Sequence, residues 1–372
     1  MERVILAAGA LALGTTTAIA GGVDRTGQSV AILFEKGTYA EISAARVSPH
    51  VSGSSLVPAL GTRSGDLSPG YNSWGGGYKQ SFNDRISAAL IFDQPLGADV
   101  DYAPNINYFL AGTTAILDTS AFTGLVKYTM PQNISLYGGV RYQVMKAEAV
   151  IPFVAGYDGR AERDGGFGYV LGAAYEKPEI ALRVAVTYNS KIKHKMDTRE
   201  SFSAGQLAGA VFNSVTESET PESVNIEFQT GVAPDTLVFG SVRWVHWTGF
   251  DISPVGYGLA TGGQAILSYD ANSTTYTLGV GRKFNDTWSG AFTLAFEEPS
   301  DSDGFSSNLG PTDGFWSAGI GGSYTHENMK ISAGIRYVFI GDTNTRVGAA
   351  APATKFDDNY AIAAGFKIGY YF

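Results

Sequence analysis

The chain has 372 residues and a formal net charge of −9, and no basic cluster offsets that charge, which disfavours nucleic acid as a partner. Charged residues make up 16%, below the roughly 25% of an ordinary soluble protein, while 47 glycines, 20 tyrosines and 21 phenylalanines are present. Mean hydropathy is near zero and no stretch after residue 20 approaches the ~18 apolar residues of a membrane helix, which leaves alternating strands as the way to meet a membrane.

The N-terminus reads as an export signal. Val4 to Leu13 is a short apolar core, and Ala18-Ile19-Ala20 is a small-x-small cleavage site before Gly21. Residues 1–20 are therefore expected to be a signal peptide, although Glu2 offsets the basic flank at Arg3. Absence of cysteine fits an envelope protein whose barrel needs no disulfide.

The first strand is expected at Thr38 to Ser48, and period-two alternation then recurs along the chain. Ile134, Leu136, Val140 and Tyr142 oppose Ser135, Tyr137, Arg141 and Gln143; Ile331, Ile335, Tyr337 and Phe339 oppose Ser332, Gly334 and Arg336. Short turns fall at Asn83-Asp84, Pro131-Gln132-Asn133, Lys177-Pro178, Ala233-Pro234-Asp235, Asn285-Asp286 and His326-Glu327-Asn328. Long connections lie at 49–71, 97–119, 147–165, 191–221, 248–271, 299–313 and 341–357. Six short turns alternating with seven long loops predict fourteen strands with both chain ends on the short-turn side. That is the asymmetry of an all-β, antiparallel, transmembrane β-barrel of the Gram-negative outer membrane. Strands of about 11–14 residues suit a tilted crossing, and closure removes edges that hydrocarbon cannot solvate. Aromatics near strand ends, among them Trp74, Trp247, Trp288 and Trp316, are expected at the interfaces. The last strand, Tyr360 to Phe372, places Ile362, Phe366, Ile368, Tyr370 and Phe372 on one face and is expected to close the ring against the first.

Three stretches carry a resemblance. Thr220-Pro221-Glu222-Ser223-Val224-Asn225 leads through a strand and the turn Ala233-Pro234-Asp235-Thr236 to Val242-Arg243-Trp244-Val245-His246-Trp247-Thr248-Gly249-Phe250. Phe167 to Lys193 carries the turn Tyr175-Glu176-Lys177-Pro178 and the loop opening Tyr188-Asn189-Ser190-Lys191-Ile192, and Phe356-Asp357-Asp358-Asn359 precedes the final strand. Together with the strand order, these resemble the FadL-type outer-membrane transporters of long-chain fatty acids and other hydrophobic compounds. The resemblance implies a plug inside the barrel. Only Gly21 to Gly37 precede the first strand, without the family's Asn-Pro-Ala run, so a shortened hatch over 21–37 and a barrel over 38–372 are expected.

The resemblance further implies capture between two outer loops, transfer to a luminal pocket, and sideways exit through the wall. In this chain those loops are 147–165, with Val150, Ile151, Phe153 and Val154, and 191–221, with Phe202, Leu207, Val211 and Phe212. Leu207, Val211 and Phe212 stand at helical spacing, and the two loops packing on each other as a lid is the plainer reading. A carboxylate head needs a cation; Arg141, Lys146, Lys191 and Lys193 are the candidates. Pro95 lacks an amide hydrogen and Gly97 tolerates a bend, so they are candidates for the family's kink in the third strand, or for that strand's plain end.

No cofactor or metal is expected, because Asp/Glu and Cys/His groupings are lacking. The four histidines, His50, His194, His246 and His326, accompany no nucleophile motif, so no enzyme is expected. The expected partners are a fatty acid or other hydrophobic molecule, membrane lipid and lipopolysaccharide, and the barrel assembly machinery, whose recognition tag the terminal Phe372 resembles. The barrel is expected to act as a monomer. A general diffusion porin is the rival, disfavoured by the strand count and by a lumen expected to show mainly glycine, alanine and serine.

Overall fold

The computed structural model describes residues 23–299, 305–348 and 352–372, so the expected signal segment 1–20 lies outside the described residues. Alternation sorts side chains to two sides of a wall. On the strand Ile134–Ile151, Leu136, Val140 and Tyr142 are exposed while Ser135, Tyr137 and Arg141 are buried.

In chain order the strands of the main sheet are β1 (Tyr39–His50), β2 (Tyr71–Ser81), β3 (Ile86–Asp93), β4 (Gly97–Asp101), β5 (Thr114–Thr129) and β6 (Ile134–Ile151). They continue as β7 (Tyr157–Lys177), β8 (Leu182–Asn189), β9 (Ile192–Phe202), β10 (Val211–Thr220), β11 (Ser223–Ala233) and β12 (Thr236–Val245). The last are β13 (Ser273–Lys283), β14 (Trp288–Glu297), β15 (Phe315–His326), β16 (Met329–Ile340) and β17 (Tyr360–Tyr371). All seventeen share one sheet. β3 and β4 are halves of one broken stave and β9 and β10 form a hairpin above the wall, which leaves fourteen staves. β17 closes the ring on β1, from Tyr39 opposite Tyr371 to His50 opposite Tyr360. No helix among the described residues is long and apolar enough to cross a membrane.

Outward aromatics gather at two levels. Trp74, Phe122, Tyr142, Phe167 and Trp316 lie toward the outer end, and Tyr78, Tyr128, Tyr175, Trp288 and Tyr370 toward the turn end. Between them Leu90, Val140, Leu171, Leu278 and Ile320 stay exposed, a continuous apolar band that water would penalise and lipid accommodates. Trp247 departs from the expected belt. It turns inward, only 1% exposed, and donates its indole Nε1–H to Ser273 Oγ at 3.0 Å.

Residues 147–165 and 191–221, expected as loops, are mostly strand. β6 runs to Ile151 and β7 begins at Tyr157, so only 152–156 turn, with Ala155 and Gly156 at φ of 52° and 62°. Alternation continues, with Ala149 and Ile151 buried and Glu148 and Val150 exposed. Above the lipid the outward positions meet water, so charged residues replace the apolar ones that mark a membrane strand. Leu207, Val211 and Phe212 share no helix either: Leu207 ends the 3-10 turn Gly205–Leu207, and the other two open β10.

Val23 to Thr38 lies across the lumen. Asn225 Nδ2 donates to the Gly27 carbonyl at 2.9 Å, and Lys79 Nζ donates to the Gly37 carbonyl at 2.9 Å. Toward the turn end a 3-10 helix, Ala31–Phe34, sets Ile32 and Leu33 into a buried cluster with Tyr39, Leu125, Tyr137 and Val170. Phe34 packs on that cluster and its ring receives the charges of Lys127 and Arg183 at 4.7 and 4.5 Å.

Candidate functional site

The third stave breaks between Asp93 and Gly97. On β5 the pairing steps from Ala121, opposite Asp93, to Asp118, opposite Gly97, so four steps on one chain meet three on the other. The extra residue is a bulge, and it falls at Pro95, which has no amide hydrogen for the ladder. On the opposite side β2 pairs with β3 only from Gly76 to Ser81, and its outer part has β1 as its sole ladder partner. A gap opens there, with a cavity of about 140 Å³ reached by Trp74, Phe92, Asp93 and Arg25. The Gln94 side chain reaches across it, accepting the Trp74 amide at 2.8 Å.

The N-terminal segment supplies the inner partner that the broken stave lacks. Arg25 N donates to the Pro95 carbonyl and Gly97 N to the Val23 carbonyl, both at 2.8 Å. Backbone groups at the break are thus satisfied from the lumen. Gly97 also makes room: a Cβ there would stand 2.4 Å from Arg25 Cζ. Arg25 pairs with Asp99 at 2.5 Å and lies over the Tyr71 ring at 4.1 Å. Beside it Asp24 pairs with Arg243 at 2.6 Å, Thr26 donates to Asp93 at 2.9 Å, and Arg141 faces Asp93 while donating to Thr123 at 2.8 Å.

Above this polar layer the lumen turns apolar. Val23 and Leu96 pack with Leu117, Met145, Met196, Val245, Trp247, Phe250, Ile252 and Leu267. A narrow pocket of about 50 Å³ runs along this chamber between Leu117, Val100, Ile252 and Leu267. It leads toward an outer cavity of about 910 Å³, walled by Phe109, Phe153, Tyr257, Tyr269 and Phe305 among polar residues. The expected glycine, alanine and serine lining is therefore wrong for the outer half, where inward positions of several staves carry Leu, Met and Val. Below the polar layer a cavity of about 220 Å³ is lined by Arg183, Glu227, Arg243, Arg336 and Lys367, with the 3-10 helix beneath it.

Comparison of the whole fold with solved structures agrees with this arrangement. A Pseudomonas aeruginosa FadL homologue superposes with a TM-score of 0.75 at 14% identity, covering 91% of each chain. The fold is that of the FadL-type barrels. The Pseudomonas putida toluene transporter TodX gives a TM-score of 0.66 at 13% identity over 92% of each chain. The Ralstonia pickettii toluene transporter TbuX gives 0.61 at 11% identity over 97% of this chain and 98% of its own. No family model and no curated protein sequence matches the chain.

In this FadL-type barrel the sequence-expected groove residues part company. Ile151 and Phe202 are buried in one cluster, joined by Val154, Leu207 and Phe212. Tyr157 and Phe202 meet edge to face at 5.4 Å, and Ser203 and Ala204 donate to the carbonyls of Gly156 and Ala155 at 3.2 and 3.0 Å. Val150 and Val211 point outward, as strand neighbours of inward residues must, and Phe153 rests half exposed on Phe109 at 5.1 Å. Ile151, Phe153 and Val154 line the outer cavity together, whereas Val150 and Val211 face away from it, and the two segments pack on each other.

The expected carboxylate binders are also redistributed. Arg141 is buried below the chamber and not at the mouth. Lys146 pairs with Asp118 at 3.2 Å, and Lys191 and Lys193 share Glu219 at 2.6 and 3.7 Å on the outer surface. Proximity along the chain to a loop says nothing about which side of the wall a residue takes. Of the residues that sequence reasoning missed, Leu117 and Met145 carry a legible signal, since each sits in phase with the polar, inward set of its strand; Met196 and Trp247 carry none.

Glu200, fully buried on β9, holds the outer helix α1 (Val255–Thr261) in place. Its carboxylate accepts the amides of Gly256 and Tyr257, each at 2.8 Å. Charged hydrogen bonds of this type contribute about 1.5–3 kcal/mol each. Glu200→Ala is expected to speed protease cleavage within 253–265 on intact cells by about ten-fold or more, with Glu200→Gln between; unchanged cleavage would show that α1 stays seated without it. On the same hairpin His194 is buried, and burial pushes its imidazole below the ordinary value although Asp164, 3.5 Å away, pulls the other way.

Proposed function

We propose that this protein carries hydrophobic small molecules, long-chain fatty acids or other hydrocarbon compounds, passively across the outer membrane of a Gram-negative bacterium. The observation that carries the reading is the gap at Pro95–Gly97, which lies beside an apolar chamber whose floor is charged. Cargo enters the outer cavity, passes the lid, and binds in the chamber. Each buried methylene favours this by about 0.8 kcal/mol. Met145 and Met196 are adaptable side chains able to repack around different shapes. The straight way down crosses buried ion pairs and the Phe34 seal, a poor route for an apolar solute. The gap beside Trp74 offers exit into the membrane instead.

Val23 to Gly37 acts in this reading as a short hatch, and the same blocked lumen argues against a wide diffusion pore. The FadL homologue and the toluene transporters that share the fold support transport in preference to catalysis. The barrel works as a monomer, meets lipid and lipopolysaccharide along its band, and offers Phe372 to the assembly machinery. Uptake of radiolabelled oleate and toluene by cells producing the barrel tests the proposal. Uptake well above that of the empty host, with only a small current in planar bilayers, is the expected result. A large steady current without uptake of either compound would sink it.

A further inference from the structure

We infer that the cargo is an uncharged hydrophobic molecule, and that mouth and chamber together reject carboxylates. The inference rests on the transport reading and narrows it.

The chamber is where an anionic head would need a cation, and the arginines at its floor already have partners, while Arg160 beside the narrow pocket is mostly solvent-exposed and lies 3.7 Å from Asp158. Arg25 is 7% exposed and bound to Asp99 at 2.5 Å. Arg243 is bound to Asp24 at 2.6 Å and also donates to Asn225 at 2.7 Å and Ser223 at 3.0 Å. Arg141 faces Asp93 and donates to Thr123. Arg25 and Arg243 each arrive with their own acid and Arg141 is tied to Thr123 near the Asp93 carboxyl, so a carboxylate entering the apolar space loses its water and meets only cations that already have partners. An alcohol, an ester or a bare hydrocarbon meets no such penalty. The lysines near the lid do not change this, because Lys191 and Lys193 turn to Glu219 on the outer surface.

The mouth adds a second selection. Among the described residues, the acidic side chains lining the outer cavity are Asp251, Asp270, Glu298 and Asp313, against the single basic residue Arg346. Within a vestibule about one Debye length across (~8 Å at physiological salt) their fields overlap and oppose an incoming anion. Aromatic walls at Phe109, Phe153 and Tyr269 meanwhile receive an apolar solute of either shape.

The test uses the full-length barrel in lipid nanodiscs at pH 7.5, with radiolabelled methyl dodecanoate as probe and empty nanodiscs setting the lipid background. Unlabelled dodecan-1-ol is expected to displace the probe at a concentration at least ten-fold below that of dodecanoate. Asp99→Asn, which frees the Arg25 guanidinium, is expected to narrow that ratio several-fold in favour of the acid. Neutralising the mouth with Asp251→Asn, Asp270→Asn, Glu298→Gln and Asp313→Asn is expected to raise the association rate of dodecanoate and to flatten its salt dependence. Dodecanoate displacing the probe as well as the alcohol does would overturn the inference and leave the transport reading standing. No binding of probe above background would overturn both.

Discussion

Deletion of Pro95 is expected to leave a folded barrel that no longer takes up hydrophobic compounds. The residue is the surplus one in the third stave, since four steps from Asp93 to Gly97 oppose three from Ala121 to Asp118. Removing it restores one-to-one pairing with β5 and keeps Leu96 inward. It also removes the one position in the break that has no amide hydrogen to give. β2 then finds a partner for Tyr71 to Gly75, continuing the register that sets Gly76 opposite Phe92. Each new ladder bond contributes roughly 0.5–1.5 kcal/mol, more where lipid would otherwise face an open edge. The gap beside Trp74 closes. Uptake should fall to the empty-host level while the heat-modifiable mobility of a folded barrel persists. Retained uptake with a folded barrel would mean that the cargo leaves by another way, and the proposed exit would be wrong.

The barrel was legible in the sequence because its physics is local. A residue that faces lipid must be apolar and its neighbour need not be, so Ile134 to Tyr142 announces its own orientation, and turns such as Asn285-Asp286 mark where the chain reverses. The site is legible only in part. Pro95 and Gly97 could be picked out because proline and glycine disturb a ladder wherever they stand. The reason for Gly97 lay elsewhere, in the close approach of Arg25 from a segment more than 70 residues earlier. Lumen contacts of this kind join residues far apart in the chain, such as Asp24 and Arg243, and no local pattern records them. The outer hairpins failed for a different reason. Once a strand rises above the lipid, both of its faces tolerate polar residues, so alternation in β9 from Ile192 to Arg199 reads as a loop although Ile192, His194 and Met196 are buried.

Arg243→Met should turn a silent barrel into a conducting one, because Arg243 is the main tie between hatch and wall. Its guanidinium holds Asp24 at 2.6 Å and reaches Asn225 at 2.7 Å, Ser223 at 3.0 Å and Gln28 at 3.4 Å, all of them buried or nearly so. Methionine fills similar volume but leaves the Asp24 carboxylate stranded, and breaking one partner of a buried pair costs about 3–5 kcal/mol. The barrel relieves that cost by letting Val23 to Gln28 leave the lumen, which also strips the inner partner from the broken stave. Small ions then pass, and planar bilayers should show steady openings absent from the wild type. Asp24→Asn combined with Arg243→Met removes the stranded charge and should restore quiet membranes, since the hatch keeps its bonds to Asn225, Pro95 and Gly97. If the single variant stays silent, the hatch is held by its apolar end at Ile32 and Leu33 instead. If the double variant leaks as much as the single one, the tie is made by the shape of Arg243 and not by its charge.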